Sequence, residues 1–209
     1  SAASDVYKRQ GWYDALAWCN ARSEMEGFSA VYEVDGQVFR HSGGVKSAAV
    51  RMRSWAVGYR LPGDWEWEWA ARGGVKTRGT VYSGGGGMDP LGWHAGNSDR
   101  AMKPVGKKKP NELGLYDMSG NVSEWCWDAD GAQRRVRGGS YLMDPSSGAV
   151  RLLTSRSVIG QVDLGFRTVW ASGMSVSGDA RLRSLEVGGQ GVSPAIDLKA
   201  YSYLSLIHI

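Results

Sequence analysis

The chain has 209 residues, of which 42% are hydrophobic and 22% charged, a balance ordinary for one globular domain with room for part of a second. No apolar run approaches the length of about 20 residues that a membrane-spanning helix needs, so we predict no membrane span. The formal charge of +4 is mild, and the scattered basic residues lack any nucleic-acid-binding motif, so we predict no nucleic-acid partner. The one basic run, residues 107–109, is predicted to be a solvated loop, with an anion-binding patch as the alternative.

Glycine and the aromatic residues set the expected architecture. The chain holds 30 glycines, 10 tryptophans and 9 tyrosines, but only 3 phenylalanines. Glycine permits turns, and buried tryptophan and tyrosine bring N–H and O–H groups that need partners. We therefore predict an irregular α+β fold rather than a helical bundle. Each ordered residue costs roughly 1 to 2 kcal/mol of backbone entropy, so bound metal or buried tryptophans are expected to hold the loops.

Two helices and a hairpin are predicted in the first third of the chain. Residues 12–26 place apolar side chains at helical spacing, and Gly27 follows as a stop signal. Residues 30–40 alternate around Asp35-Gly36, a dipeptide typical of tight hairpin turns. A second helix is predicted in RLPGDWEWEWAARGG, which has a proline near its start, acids in its first turn and two glycines at its end.

The rest of the chain is predicted to be loops and short strands. Residues 75–112 are rich in Gly, Pro, Asn and Lys, a composition typical of long irregular loops. Patterns favouring strands follow at four places: residues 113–118, 123–128, 134–141 and 164–170.

Four separated blocks match one protein family, in order and at plausible spacing. They are YDALAWCNARSEMEGFSAVYEV, GYRLPGDWEWEWAARGG, PNELGLYDMSGNVSEWCWD, and RVRGGSY followed by LGFRTV. Together they resemble the formylglycine-generating enzyme (sulfatase-modifying factor) family over roughly residues 11–171. The resemblance implies a variant of the C-type-lectin-like fold, with two helices, small antiparallel sheets and much irregular chain, in proteins that are often secreted or surface-exposed.

The resemblance also divides the chain. Residues 1–10 match no part of the family and are interpreted as a leader foreign to the domain, because the family normally begins with a further strand for which there is no room. Residues 11–171 form the partial family domain, and residues 172–181 (SGMSVSGDAR) are predicted to be a linker. Residues 182–209 resemble the opening of a cadherin-like or immunoglobulin-like β-sandwich repeat. Further domains are expected in the full-length protein.

Glu124 is a carboxylate placed between a Gly-Asn step and two tryptophans, where a buried wall is expected. The resemblance implies a calcium-binding turn there, with ligands from Gly120, Asn121, Val122 and Glu124. Calcium binds several oxygen ligands, which an irregular turn and one carboxylate can supply. Asn97 resembles part of a second such site. The alternative is a buried acid hydrogen-bonded to backbone N–H groups or to an arginine such as Arg167.

The chemistry of active family members is missing from this sequence. Those enzymes carry, after the segment that GGSY resembles, a pair of cysteines that bind copper and activate oxygen. The matching positions here are near Met143 and Gly148, and no cysteine occurs after Cys126. Because neither a thioether nor a glycine replaces a thiolate, we predict no bound copper and no catalytic residue. Ser140 is retained without a partner.

The two cysteines are far apart in the chain. Cys19 resembles a family cysteine that is disulfide-bonded in some members, but Thr168 occupies the partner's position. We therefore interpret Cys19 as a small buried hydrophobe, with pairing to Cys126 as the alternative. The three histidines lack neighbours at metal-ligand spacing and are not expected to be ligands or catalysts: His41, His94 and His208.

Several arginines and an acid are interpreted as structural: Arg60, Glu66, Arg72, Arg137 and Arg167. The function that remains is that of a non-catalytic family domain, serving as a binding or structural module of a bacterial surface or secreted protein. Its expected partner is a protein, peptide or glycan, and its expected location is extracellular, cell-surface or periplasmic. The alternative is an oxidoreductase of the superfamily with displaced metal or thiol chemistry.

Overall fold

The computed structural model describes residues 11–41 and 48–172 of the chain. The interpretations of residues 1–10, of the linker beyond residue 172 and of residues 182–209 lie outside this part of the molecule. Within it, no helix is long and apolar enough to cross a membrane. Two α-helices, three small sheets and long irregular segments make up the fold, which confirms the predicted loop-rich α+β class.

Helix α1 spans Trp12–Met25, as predicted. At its start, the Gly11 N–H donates to Asp14 Oδ2 at 2.8 Å, which satisfies one of the backbone donors left free by a helix N-terminus. Gly27 ends it with a φ of +79°, a conformation that glycine adopts without strain. Side chains spaced three or four residues apart bury one face of the helix against the sheets: Trp12, Ala15, Leu16, Cys19, Asn20 and Ser23.

The predicted hairpin is confirmed and acquires a third strand. Strands β1 (Tyr32–Val34) and β2 (Gln37–Val38) flank Asp35 and Gly36, which both have positive φ, and β3 (Arg51–Met52) pairs with the other edge of β1. Asn20 of α1 attaches this sheet to the helix. Its Nδ2 donates to the carbonyls of Tyr32 and Phe39 at 2.8 Å, and its Oδ1 accepts the N–H groups of Val31 and Tyr32.

Helix α2 spans Asp64–Ala71 and confirms the second helix prediction. The Gly63 N–H donates to Glu66 Oε2 at 2.7 Å, and the Asp64 N–H donates to Asp128 Oδ2 at 2.6 Å. Both bonds satisfy N-terminal donors of the helix, and the second one ties the helix to the strand that carries Asp128.

The loops after α2 are irregular, as predicted, apart from a short 3₁₀ turn at Gly74–Lys76. The predicted strand at residues 113–118 is wrong, because this segment forms turns. Asn111 explains the difference: its Oδ1 accepts the N–H groups of Leu113 and Leu115, and its Nδ2 donates to Ala70 O and Ser83 Oγ. A side chain thus supplies the hydrogen bonds that a neighbouring strand would otherwise provide.

The largest sheet lies in the second half of the chain and consists of β5 (Ser123–Asp130), β6 (Gln133–Arg137), β7 (Thr154–Arg156) and β8 (Leu164–Gly165). These strands are arranged in the order β7-β6-β5-β8, and a 3₁₀ turn at Pro145–Gly148 lies between β6 and β7 in sequence. Strands β5 and β8 pair in parallel, a departure from the small antiparallel sheets that were expected. The prediction for 123–128 is confirmed, whereas the one for 134–141 extends too far, since Gly138 and Gly139 have positive φ and end β6.

The predicted strand at 164–170 is two strands in different sheets. β8 pairs with β5, whereas β9 (Val169–Ser172) pairs antiparallel with β4 (Val57–Arg60). The chain changes sheet between Gly165 and Val169, and Arg167 lies in this crossing segment.

Strand β5 separates two hydrophobic clusters. Trp125 packs with Trp12, Leu16 and Phe166 on the α1 side, whereas its neighbour Cys126 packs with Trp67, Met118 and Val150 on the α2 side. Successive side chains of a strand point to opposite faces, so Glu124 faces the same way as Cys126, toward α2. The sheet register therefore places the acid of the SGNVSEW segment inside the second cluster.

Candidate functional site

Glu124 is fully buried, and its carboxylate accepts hydrogen bonds from the side chains of Arg167 and Trp67. Arg167 Nε donates to its Oε2 at 2.5 Å and Arg167 Nη2 to its Oε1 at 2.6 Å, while the indole N–H of Trp67 donates to Oε2 at 2.6 Å. Arg167 Nη2 also donates to Tyr116 O at 3.2 Å. In such a bidentate pair the positive charge of the guanidinium balances the negative charge of the buried carboxylate. This is the arrangement that the sequence offered as the alternative to calcium.

The other residues expected to bind calcium make structural hydrogen bonds. Asn121, with a φ of +66°, accepts the Lys103 N–H at Oδ1 and donates from Nδ2 to Lys103 O. The Gly120 N–H donates to Gly138 O at 2.7 Å. Asn97 accepts the His94 N–H at Oδ1 and donates to Gly92 O. The Asn121 side chain thus joins its turn to the backbone of Lys103, and the Asn97 side chain joins its turn to the backbone of Gly92 and His94.

Four of the side-chain oxygens expected to bind calcium already accept hydrogen bonds in this arrangement. Both oxygens of Glu124 accept from positively charged or N–H donors, and the amide oxygens of Asn121 and Asn97 accept backbone N–H groups. In residues 11–41 and 48–172, no three His, Cys, Asp or Glu side chains lie close enough together to hold a metal ion. Calcium at Glu124 stays a prediction, for which a titration is given below.

A small pocket of ≈ 30 Å³ lies beside Met143, near one of the two positions at which the resemblance implies a catalytic cysteine. It is bounded by the end of β6, by Met143 and Ser147, by Leu152, which precedes β7, and by Thr154, the first residue of β7. Ser140, beside it, donates to Asp163 Oδ2 at 2.8 Å and is buried. The retained serine of GGSY thus has a carboxylate partner that the sequence did not identify. Asp163 lies 23 positions after Ser140, too far along the chain for the spacing in the sequence to indicate the contact.

Arg137 forms one wall of this pocket and belongs to a buried ion-pair chain. Its Nε donates to Asp64 Oδ1 at 2.5 Å, its Nη2 lies 3.0 Å from Glu68 Oε2, and its Nη1 donates to the carbonyls of Val150 and Leu152. Burial lowers the pKa of Arg137, but the hydrogen bond and charge of Asp64 outweigh it and the pKa is raised. Arg137 is therefore a permanent cation that fixes the pocket wall, a structural role as predicted.

Arg60 and Glu66 join β4 to α2 through two hydrogen bonds, Nη1 to Oε2 at 2.6 Å and Nη2 to Oε1 at 2.7 Å. Arg72, which follows α2, donates a hydrogen bond to Glu68 of that helix. Glu68 also pairs with Arg137, so Arg72 extends the ion-pair chain of Arg137. The structural interpretation of these charged groups is thus confirmed.

Neither cysteine lies at the pocket. Cys19 and Cys126 are free thiols, each fully buried, in the first and second hydrophobic cluster respectively. Burial raises the pKa of both thiols far above the ordinary value, since a thiolate in an apolar cluster loses its hydration. The interpretation of Cys19 as a small buried hydrophobe is confirmed.

His94 is buried and bonded on both ring nitrogens: Nε2 lies 2.6 Å from Asp89 Oδ1, and Nδ1 accepts the Gly96 N–H. His41 is exposed, and His208 lies outside the described residues. In the basic run, Lys107 and Lys109 are exposed as expected, but Lys108 packs its Nζ 3.9 Å from the centre of the Trp93 ring and donates to Asp89 O.

Comparisons with known proteins agree with this geometry. The chain is 39% identical over 142 residues to the chaperone protein LppX of Paenibacillus barcinonensis, covering 58% of this chain and 51% of LppX. It is 34% identical over 133 residues to the formylglycine-generating enzyme of Thermomonospora curvata, covering 47% and 43%. It is 40% identical over 101 residues to the inactive Cα-formylglycine-generating enzyme 2 of Bos taurus, covering 41% and 33%. The chain thus spans about half, or less, of the length of these relatives.

A solved structure, Treponema denticola variable protein 1, superposes with a TM-score of 0.67 at 31% identity, covering 77% of this chain and 70% of that one. The fold is therefore the C-type-lectin-like fold of the sulfatase-modifying factor type, as the resemblance implied. The family model described as the sulfatase-modifying factor enzyme 1-like domain matches residues 10–172, and the chain belongs to that family.

Proposed function

We propose that this domain is a non-catalytic member of its family that binds an extended segment of a partner polypeptide. One observation carries the proposal: no cysteine follows Cys126, although the resemblance implies a catalytic pair near Met143 and Gly148, and both thiols of the chain are buried elsewhere. Thiol-copper chemistry needs two thiolates that converge beside the substrate. Copper therefore has no thiolate ligands at this pocket.

The surface around the pocket suits a peptide. Leu152 and Leu153 are 40% and 37% exposed, and Val81 is 55% exposed. The Val150 N–H donates to Val81 O at 2.9 Å, which brings Val81 to the segment that ends in these leucines. Exposed aliphatic side chains beside a pocket that admits one small group offer an apolar contact for alternate side chains of an extended chain.

Two relatives support a role in binding without catalysis. One is named a chaperone protein and another an inactive formylglycine-generating enzyme. The name of the first is compatible with a polypeptide partner, the class that the pocket surroundings suit. We propose the same class for this chain, and an extracellular, cell-surface or periplasmic location, which the resemblance to secreted and surface-exposed family members supports.

The catalytic part of the proposal is tested with the purified chain. It is incubated with Cu(I), oxygen and a peptide containing CxPxR, and the product is analysed by mass spectrometry beside an active formylglycine-generating enzyme. We expect no aldehyde product above the level without protein. Aldehyde formation that disappears in Cys126→Ser would overturn the proposal and favour an oxidoreductase with displaced chemistry.

The binding part is tested on an array of extended peptides that vary in apolar content. We expect peptides with apolar residues at alternate positions to bind the unaltered chain and to lose affinity for Leu152→Asp. A matched control, Ile159→Asp, changes another exposed aliphatic residue that is 58% exposed. Equal binding by both variants would place the peptide site elsewhere.

A further inference from the structure

Met88 is a buried methionine, 4% exposed, whose thioether end lies against three glycines from three different loops. A Cβ atom placed on Gly148 would lie 2.6 Å from Met88 Cε and 2.8 Å from its Sδ. A Cβ atom on Gly120 would lie 2.7 Å from the same Cε, and one on Gly92 would lie 3.4 Å from it. The methionine end thus occupies space that a side chain at Gly148 would need, whereas the nearest atoms at Gly120 and Gly92 are backbone oxygens, Trp93 O at 2.3 Å and Ser119 O at 1.7 Å.

Gly148 lies at or next to one of the two positions at which the family resemblance implies a catalytic cysteine. The structure assigns Met88 the role of a plug: we propose that it occupies the volume of any side chain at position 148, so that loss of the thiolate pair is enforced by packing as well as by sequence. The inference rests on the proposed non-catalytic function and identifies the residue that maintains it. Restoring two cysteines at positions 143 and 148 would then fail to restore a copper site unless Met88 is also changed.

The backbone at Gly148 is held in place and cannot easily move away from Met88. Ser119 Oγ donates to Gly148 O at 2.8 Å, and the same Ser119 Oγ accepts the Ser83 N–H. Gly148 also ends the 3₁₀ turn at Pro145–Gly148 and is buried. A new side chain there must be accommodated by Met88 and not by the loop.

A methionine side chain is flexible, so a Cβ atom at Gly148 displaces the end of Met88 rather than the backbone. The same methyl lies close to a second glycine, because a Cβ atom on Gly120 would be 2.7 Å from it. Gly120 is itself fixed, because its N–H donates to Gly138 O at 2.7 Å. Close-packed interiors resist such insertions, so an added side chain raises the free energy of the folded state.

The first test is a double-mutant cycle in thermal unfolding of the full chain, with Gly148→Ala and Met88→Ala alone and combined. We expect each single change to lower Tm and the pair to lower it by clearly less than the sum of the two. Gly86→Ala is the matched control, because no atom lies within 4 Å of a Cβ placed on Gly86. Additive losses, or a Gly148→Ala variant as stable as Gly86→Ala, would overturn the plug.

The second test measures Cu(I) affinity by competition with a chromophoric chelator. Met143→Cys with Gly148→Cys is compared with the same pair plus Met88→Ala. We expect the additional change to strengthen Cu(I) binding about tenfold or more, in the range that supporting residues exert on metal sites. Equal affinity would refute the role of Met88. Product formation by the unaltered chain would refute the proposed function instead, so the two failures are distinguishable.

Discussion

Arg167 and Glu124 form a buried ion pair through two hydrogen bonds of 2.5 and 2.6 Å. It joins strand β5 to the segment in which the chain leaves β8 for β9, and Trp67 of α2 adds a third bond to the same carboxylate. Three elements distant in sequence therefore meet at one acid. The pair is a structural centre of the domain.

Glu124→Gln is expected to lower the free energy of unfolding by about 3 to 5 kcal/mol, because it leaves the Arg167 guanidinium buried without its counter-charge. The loss is measured by chemical denaturation in EDTA and again in millimolar calcium. Asp99→Asn, which breaks the exposed pair with Lys103, is the control and should leave the unfolding midpoint unchanged.

Thermal unfolding of the unaltered chain and of Glu124→Gln, with and without millimolar calcium, decides the calcium prediction. A ligand that binds only the folded state raises Tm as its concentration rises. If calcium raises the Tm of the unaltered chain but not of Glu124→Gln, the metal assignment is supported. If both respond alike, or neither responds, calcium does not bind at Glu124.

Asn111→Ala should destabilise the fold by about 3 kcal/mol or more. The change leaves the N–H groups of Leu113 and Leu115 without their side-chain acceptor and removes one of the donors to Ala70 O, which keeps the Gly73 N–H. Each buried unsatisfied group costs roughly 1 to 3 kcal/mol. Asn111→Asp retains an acceptor for the two N–H groups but puts a carboxylate oxygen where Nδ2 donates to Ala70 O, so it is expected to destabilise the fold as well. Equal stability of Asn111→Ala and the unaltered chain in urea denaturation would contradict this account.

Stability should fall in acid through Glu66. Burial raises the pKa of Glu66, but its hydrogen bond and charge interaction with Arg60 outweigh burial, so the folded-state pKa lies below the ordinary 4.5. Because the folded-state value is the lower one, the carboxylate contributes stability at pH above 4.5, and the contribution is lost as pH falls through the folded-state pKa. The Tm difference between the unaltered chain and Glu66→Gln should therefore narrow below that pH. A difference constant down to acid unfolding would argue against this coupling.

Both thiols should be inert in the folded protein. Cys19 and Cys126 are fully buried and their pKa values are raised by burial, so neither offers a thiolate to Ellman's reagent at mildly alkaline pH. We expect no labelling in native buffer and two equivalents in guanidinium chloride. Rapid native labelling of one equivalent would show an accessible thiol and reopen the question of displaced chemistry.

Short sequence patterns predicted the elements whose conformation depends on neighbouring residues of the chain. Asp35-Gly36 indicated the hairpin and Gly27 the end of α1, because each acts on its own backbone. The predicted strand at 113–118 failed because Asn111 supplies its hydrogen bonds from a side chain. The predicted strand at 164–170 failed because Arg167 lies at a change of sheet, which no local pattern records.

The site was predictable only in part, for the same reason. The resemblance identified Glu124, and the sequence offered Arg167 as its partner, a pairing that the structure contains. The role of Met88 could not be predicted, since it depends on Gly92, Gly120 and Gly148 meeting from three loops. Asp163, the partner of Ser140, likewise lies across the fold and not within a motif.

The pairing of β4 with β9 has a consequence for the order of folding. Residues Val57–Arg60 pair with Val169–Ser172, so the two partners are separated by roughly 110 residues of chain, and closing so long a loop carries an entropic cost. At synthesis rates of about 5 to 20 residues per second, β4 waits on the order of 5 to 20 s for its partner to be made. During that interval the nascent chain exposes an unpaired strand edge beside the first hydrophobic cluster, which makes the period before β9 emerges the one in which this domain is most exposed to aggregation.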